Sequence, residues 1–190
     1  MIHTNDIIIV AGLPRSGTSM MMKMLEAGGV PVLADNQRTA DIDNPKGYYE
    51  YERVKQLPGD TAWLPEAEGK VVKMVSMLLY DLPTDRQYKV IFMRRHMDEI
   101  LASQKKMLLR RNADMVVDDQ EMKELFEGHL KNVTAWLSEQ THLDVLYIWY
   151  NDMLNDASAQ IPKVNDFLGG KLDITAMQTV VDQGLYRNRS

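Results

Sequence analysis

The chain has 190 residues, 45% of them hydrophobic and 7% aromatic, with a formal net charge of −5. This is enough apolar material for one hydrophobic core, and residues 1–190 read as a single domain. The negative balance supplies no basic field for DNA, RNA or an anionic membrane, and the absence of cysteine excludes disulfides, thiol catalysis and cysteine-ligated zinc.

Ile7 to Val10 are four consecutive β-branched residues, which predicts a short buried strand over 7–11. A helix is expected over 18–28, a short strand over 31–34, a polar loop to residue 47 and a helix over 49–57. A loop rich in Pro and Gly leads to a strand at 70–75, a helical or irregular piece to Pro83, a strand at 88–94 and a helix at 97–111. A long helix follows over 118–140. Its apolar stripe is Met122, Leu125, Phe126, Leu130, Val133, Trp136 and Leu137, with Asp118 and Glu121 at a capped start. A strand at 143–149 and helices at 151–168 and 173–183 complete the chain. Strands alternating with helices predict a three-layer α/β P-loop fold, a mainly parallel central sheet flanked by helices. Ligands of such sheets bind beyond the carboxyl ends of the strands.

The apolar runs are far too short to span a bilayer, and Met1 to Asp6 shows no basic and apolar leader, so a cytoplasmic protein is expected. The 14 methionines read first as flexible core filler; Met20–Met22 beside the first loop offer an adaptable binding surface as the alternative. His3, His96, His129 and His142 show no metal-ligand spacing. Trp63, Trp136 and Trp149 read as packing residues, with Trp63 also a candidate for lining a pocket.

The first strand runs into Gly12-Leu13-Pro14-Arg15-Ser16-Gly17, and a helix opens at Thr18-Ser19. Strand, glycine turn and helix N-terminus make a phosphate cradle, in which backbone N–H groups and the positive end of the helix dipole converge on an anion. The spacing is that of a P-loop with one departure. The lysine that ATP-using P-loops carry after the second glycine is replaced by Thr18, and the cation sits inside the loop at Arg15. A second segment, Val90–Met93 followed by Arg94-Arg95, runs from a strand into a helix, with Ser103 eight residues beyond Arg95. Arginine offers a bidentate fork for phosphate, and Ser103 reaches the same anion if that helix starts beside it. A third segment, Leu143 to Asp156, leads through a strand into a helix and on to Phe167-Leu168-Gly169.

In this order the three segments resemble the sulfotransferases that use 3′-phosphoadenosine 5′-phosphosulfate (PAPS), over residues 6 to 170. The resemblance implies that Pro14, Arg15, Ser16, Gly17, Thr18 and Ser19 hold the 5′ side of the donor, and that Arg95 and Ser103 hold its 3′-phosphate. It implies PAPS as co-substrate, no metal, and transfer of a sulfuryl group to a hydroxyl or amine. Two features depart from the family pattern. Asn151 stands where an acid is usual, and Val75 stands where many members place a catalytic histidine after a lysine, here Lys73. Lys73 is expected to contact the sulfonate or leaving phosphate. The proton acceptor is sought in Asp41–Glu52, with Glu50 first and Glu52, Asp41 and Asp43 behind it. An ordinary glutamate titrates near ~4.3, so Glu50 needs partial burial to act as a base. The other reading of Glu50 and Glu52 is a pair of first-turn acids at a helix N-terminus. Arg187 and Arg189 read as a solvated tail or as a closure over phosphate.

Two other functions stay open on the sequence: a nucleotide-kinase-like phosphotransferase, and a non-catalytic nucleotide-binding module. A small-molecule, lipid or carbohydrate acceptor fits equally well, and the small size is compatible with a homodimer.

Overall fold

The computed structural model describes residues 6–35, 49–110 and 118–181. Four strands, β1 (Ile7–Gly12), β2 (Val71–Lys73), β3 (Tyr88–Arg94) and β4 (Leu143–Trp149), form one parallel sheet in the order β2-β1-β3-β4. Around it lie α1 (Thr18–Ala27), α2 (Leu64–Ala67), α3 (Met97–Arg110), α4 (Asp119–Glu139), α5 (Tyr150–Asn155), α6 (Ala157–Phe167) and α7 (Ile174–Val180).

The side chains of β1 show how the layers arise. Successive residues of a strand face opposite sides of the sheet. Ile7, Ile9 and Ala11 enter one core with Leu64 and Ala67 of α2 and Val133 and Leu137 of α4. Ile8 and Val10 enter the other, with Met21, Met22, Met24 and Leu25 of α1 and residues of α5, α6 and α7. A strand covered on both faces must be apolar throughout, which is why the isoleucine run is continuous rather than alternating. Each wholly buried isoleucine contributes about 1.5–3 kcal/mol through the water it sheds.

Several boundaries differ from the sequence expectation. At 31–34 there is only one parallel bridge, Val32 to Val71. The helix expected at 49–57 is a 3-10 turn over Glu52–Gln56, and the strand expected at 70–75 is three residues long before a 3-10 turn over Ser76–Asp81. The expected helix 151–168 is two helices. Asp156 separates them, and its carboxylate accepts from the Ala159 amide to start α6, a cap that competes with helix continuation. The stripe on α4 is buried only towards its end: Val133 and Leu137 are enclosed, while Leu125 is 61% exposed. Asp118 occupies the N-cap of α4 but its side chain makes no cap hydrogen bond. Met21 and Met22 are fully buried, as core filler requires, while Met20 is only partly buried against the same core. Trp63 is also fully buried, donating its indole N–H to the Asp60 carbonyl, so it lines no open pocket. Among the described residues, no helix is long and apolar enough to cross a membrane.

Candidate functional site

The parallel register decides where the loops emerge. Gly12, the last residue of β1, pairs with Met93, so the loop after β1 and Arg94-Arg95 after β3 leave the same edge of the sheet. Val10 pairs with Lys73, which puts the end of β2 beside them. The bridge at Val32 and Val71 brings residues 33–35 out there too, and the Asp35 amide donates to the Glu50 carbonyl. The topology thus brings all four regions singled out in the sequence to the carboxyl edge.

The loop is built by two glycines and one strained arginine. A Cβ at Gly12 would lie 2.5 Å from Ser16 Oγ and 2.7 Å from the Met93 carbonyl oxygen, so only glycine fits under the loop. Gly17, the N-cap of α1, has φ 99°, and any side chain there would strike the Tyr150 ring. Arg15 has φ 70°, a left-handed conformation that costs a non-glycine residue on the order of 1–3 kcal/mol and persists only where neighbours enforce it. Those neighbours are present. Arg95 Nη1 donates to the Arg15 carbonyl at 3.1 Å, and Arg15 Nε donates to Ser103 Oγ at 2.9 Å.

Arg15 and Arg95 therefore meet at this edge of the sheet, with a connectivity the sequence did not suggest. The Arg95/Ser103 pair was expected to act as a unit. The structure instead joins Ser103 to the side chain of Arg15 and Arg95 to its backbone. Arg95 is itself anchored: Nε donates to Glu99 Oε2 at 2.7 Å, and its guanidinium lies 4.3 Å from the centre of the Tyr150 ring. Glu99 is 1% exposed and takes a second hydrogen bond on Oε1 from Asn151 Nδ2 at 2.8 Å. Arg95 lies just before α3 and Glu99 in its first turn, four residues on.

Ser16 is 1% exposed, and among the described residues its Oγ has no hydrogen-bond partner. A buried hydroxyl left unpaired costs free energy unless a ligand completes it. It lies in the loop leading into α1, whose N-terminus has no side-chain cap. An unpartnered hydroxyl, uncapped helix amides and an arginine in one loop are the donor set of an anion site. Pro14 is exposed at the tip, Thr18 and Ser19 open the helix, and Lys73 Nζ stands 3.5 Å from Ser19 Oγ.

Glu50 is at the same edge, with 19% of its side chain exposed and Oε2 3.3 Å from Lys55 Nζ. Lys55 also binds Glu52 at 2.6 Å, and Glu52 starts a short 3-10 turn with its amide on the Asp35 carboxylate. The hydroxyl of Tyr49 donates to Glu26 of α1 at 2.6 Å, fixing the segment beside the loop helix. Asp41, Asp43, Arg187 and Arg189 lie outside the described residues. Among the described residues no group of three or more His, Asp or Glu side chains gathers as a metal site would.

The sulfotransferase domain family matches residues 5–189. The chain belongs to that family. This bears out the resemblance to the sulfotransferases and lends no support to the nucleotide-kinase alternative. Solved structures with the same fold include the sulfotransferase domain from the curacin biosynthetic pathway (15% identity, 94% of this chain and 78% of that one, TM-score 0.56). Mouse sulfotransferase SULT7A1 complexed with PAP matches at 18% identity, with 94% of this chain, 63% of that one and TM-score 0.55. Retinol dehydratase in complex with retinol and PAP matches at 18% identity, with 95% of this chain, 69% of that one and TM-score 0.50. At such identities these likenesses concern the fold. No curated protein matches the chain by sequence.

Beyond β2, several apolar side chains stand exposed. Val75, at the position of the missing histidine, is 43% exposed, and Met77, Tyr80 and Leu125 are 66%, 40% and 61% exposed. His129 of α4 binds the buried Ser76 hydroxyl through Nε2 at 2.8 Å, and its ring packs edge-on to Tyr80. Burial holds the His129 pKa below its ordinary 6.5. The folded state therefore resists protonation, and stability is lost as pH falls from 6.5 through the lower folded value. Melting temperature measured between about pH 7.5 and 5.5 should drop further for the wild type than for His129→Gln. Parallel curves for the two proteins would show that His129 carries no such linkage.

Proposed function

We propose that residues 1–190 act as one domain that moves a sulfuryl group from PAPS to an acceptor hydroxyl or amine. The observation that carries this reading is the contact of Arg95 with Arg15, in a loop that also holds the buried Ser16 hydroxyl, unpartnered among the described residues. The loop from Pro14 to Ser19 receives the 5′ side of the donor. Arg95 and Ser103, held on either side of Arg15, receive the 3′-phosphate. Both arginines are permanent cations, and Ser16, Thr18 and Ser19 add hydroxyl donors.

In the transfer, the acceptor oxygen or nitrogen bonds to sulfur as the bond from sulfur to the phosphate oxygen breaks. The acceptor proton goes to Glu50, and adenosine 3′,5′-bisphosphate leaves. Arg15 and Lys73 face the negative charge that grows on the departing phosphate. The partial enclosure of Glu50 and its pairing with an exposed lysine support this role. Among small-molecule, lipid and carbohydrate acceptors, the exposed Val75, Met77, Tyr80 and Leu125 favour one whose reacting group sits on an apolar body. The same four side chains favour, as a second reading, a homodimer that covers this rim.

The test is transfer of labelled sulfate from PAPS, in the presence of EDTA, to a panel of apolar alcohols and phenols set against sugars. Glu50→Gln should lower turnover by about 10²–10⁴-fold while the dissociation constant of adenosine 3′,5′-bisphosphate stays within a factor of two or so. Unchanged turnover would move the base to Glu52 or into residues 41–43. A panel on which only sugars react would refute the apolar acceptor.

A further inference from the structure

The buried network behind Arg95 does more than neutralise a charge. Arg95 spends Nε on Glu99 and Nη1 on the carbonyl of Arg15, the residue held at φ 70°. Arg15 in turn sends its own side chain across to Ser103 at the start of the opposite phosphate subsite. Each subsite thus contains a group tied to the other. The cross-brace rests on Glu99, which is 1% exposed and fixed on its second oxygen by Asn151, itself 5% exposed. Tyr150, next to Asn151 in α5, lies under the Arg95 guanidinium and fills the space beside Gly17. One short stretch, Tyr150-Asn151, therefore supports both the arginine and the turn of the loop.

We propose that Glu99 and Asn151 are positioning residues that couple the two phosphate subsites through Arg95. The inference rests on the nucleotide reading given above. In it, the guanidinium must stay in one orientation to hold the Arg15 carbonyl and to meet the 3′-phosphate. A carboxylate accepting two hydrogen bonds in a buried site fixes that orientation more firmly than either bond alone. Anything that steadies Arg95 then steadies the strained loop, so a phosphate bound on the 3′ side raises affinity on the 5′ side. By linkage the effect is reciprocal. Asn in place of an acid at 151 fits this role. Asn can donate to Glu99, whereas a second carboxylate there would repel it.

The experiment compares the calorimetric affinities of adenosine 3′,5′-bisphosphate, adenosine 5′-phosphate and adenosine 3′-phosphate for the wild type, Glu99→Gln and Asn151→Ala. Each protein is held well below its own melting temperature. Both variants should bind both monophosphates more weakly by about 5-fold or more, in the range typical of coupled sites. The loss for the 5′-phosphate is the informative one, because neither substituted residue is assigned to that subsite. Wild-type affinity for both monophosphates, with only a lowered melting temperature, would reduce the network to a structural role and overturn the proposal. A loss confined to the 3′-phosphorylated ligands would leave Arg95 a simple phosphate ligand and also overturn it. If Glu99→Gln does not fold, Asn151→Ala reads the same outcomes, since it removes one hydrogen bond and leaves the Arg95–Glu99 ion pair in place. Failure of the wild type to bind the bisphosphate would instead strike at the nucleotide reading itself.

Discussion

Arg15→Ala should leave transfer lower by about 10²–10³-fold or more, the cost of losing one preorganised donor to a developing anion. The substitution removes the guanidinium from the loop and from Ser103 at once, so binding of the bisphosphate should weaken too. Arg15 has φ 70°, and alanine in that conformation is also strained. Arg15→Gly separates the causes, because glycine accepts the backbone without penalty but supplies no cation. Equal inactivity of the two variants, measured as kcat with labelled PAPS, assigns the loss to the guanidinium. Recovery in the glycine variant would mean that the loop conformation, not the charge, is what Arg15 provides.

Arg95→Ala should discriminate between nucleotides. The affinity for adenosine 3′,5′-bisphosphate is expected to fall by about 10–100-fold, as for loss of a charge-assisted hydrogen bond of roughly 1.5–3 kcal/mol. Affinity for adenosine 5′-phosphate should fall by less, about the 5-fold expected from releasing the Arg15 carbonyl. Glu99 would then be left buried without its cation. Removing one partner of such a pair costs on the order of 3–5 kcal/mol of stability, so the comparison belongs at low temperature. The ratio of the two affinities within one variant is insensitive to the fraction folded, which is why it is the quantity to measure. Equal losses for both nucleotides would remove Arg95 from the 3′ subsite.

The parts of the molecule legible in the sequence are those whose cause is local. Ile7 to Val10 specify a strand buried on two faces by side-chain type alone, and the spacing of Gly12 and Gly17 specifies the turn that follows. The alternation of strand and helix then fixes a parallel sheet, and a parallel sheet sends Arg15, Lys73 and Arg95 to one edge. What stayed hidden depends on partners distant in sequence. The Glu99–Asn151 hydrogen bond spans 52 residues, and the His129–Ser76 bond spans 53. No periodicity announces either. The break at Asp156 is local instead: its carboxylate caps the Ala159 amide three residues on, which ends the helix expected over 151–168. The α4 stripe misled because helical spacing reports which residues share a face, not whether another element covers it, and Leu125 stands uncovered.

A crystal structure of the protein with adenosine 3′,5′-bisphosphate bound is the decisive measurement. One phosphate should lie against the loop amides, Ser16 Oγ and Arg15, and the other within hydrogen-bond reach of Arg95 and Ser103, with the Arg95–Arg15 carbonyl contact kept. Phosphates bound away from either arginine, or a nucleotide seated away from the carboxyl ends of β1 and β3, would show that the two segments do not share a ligand.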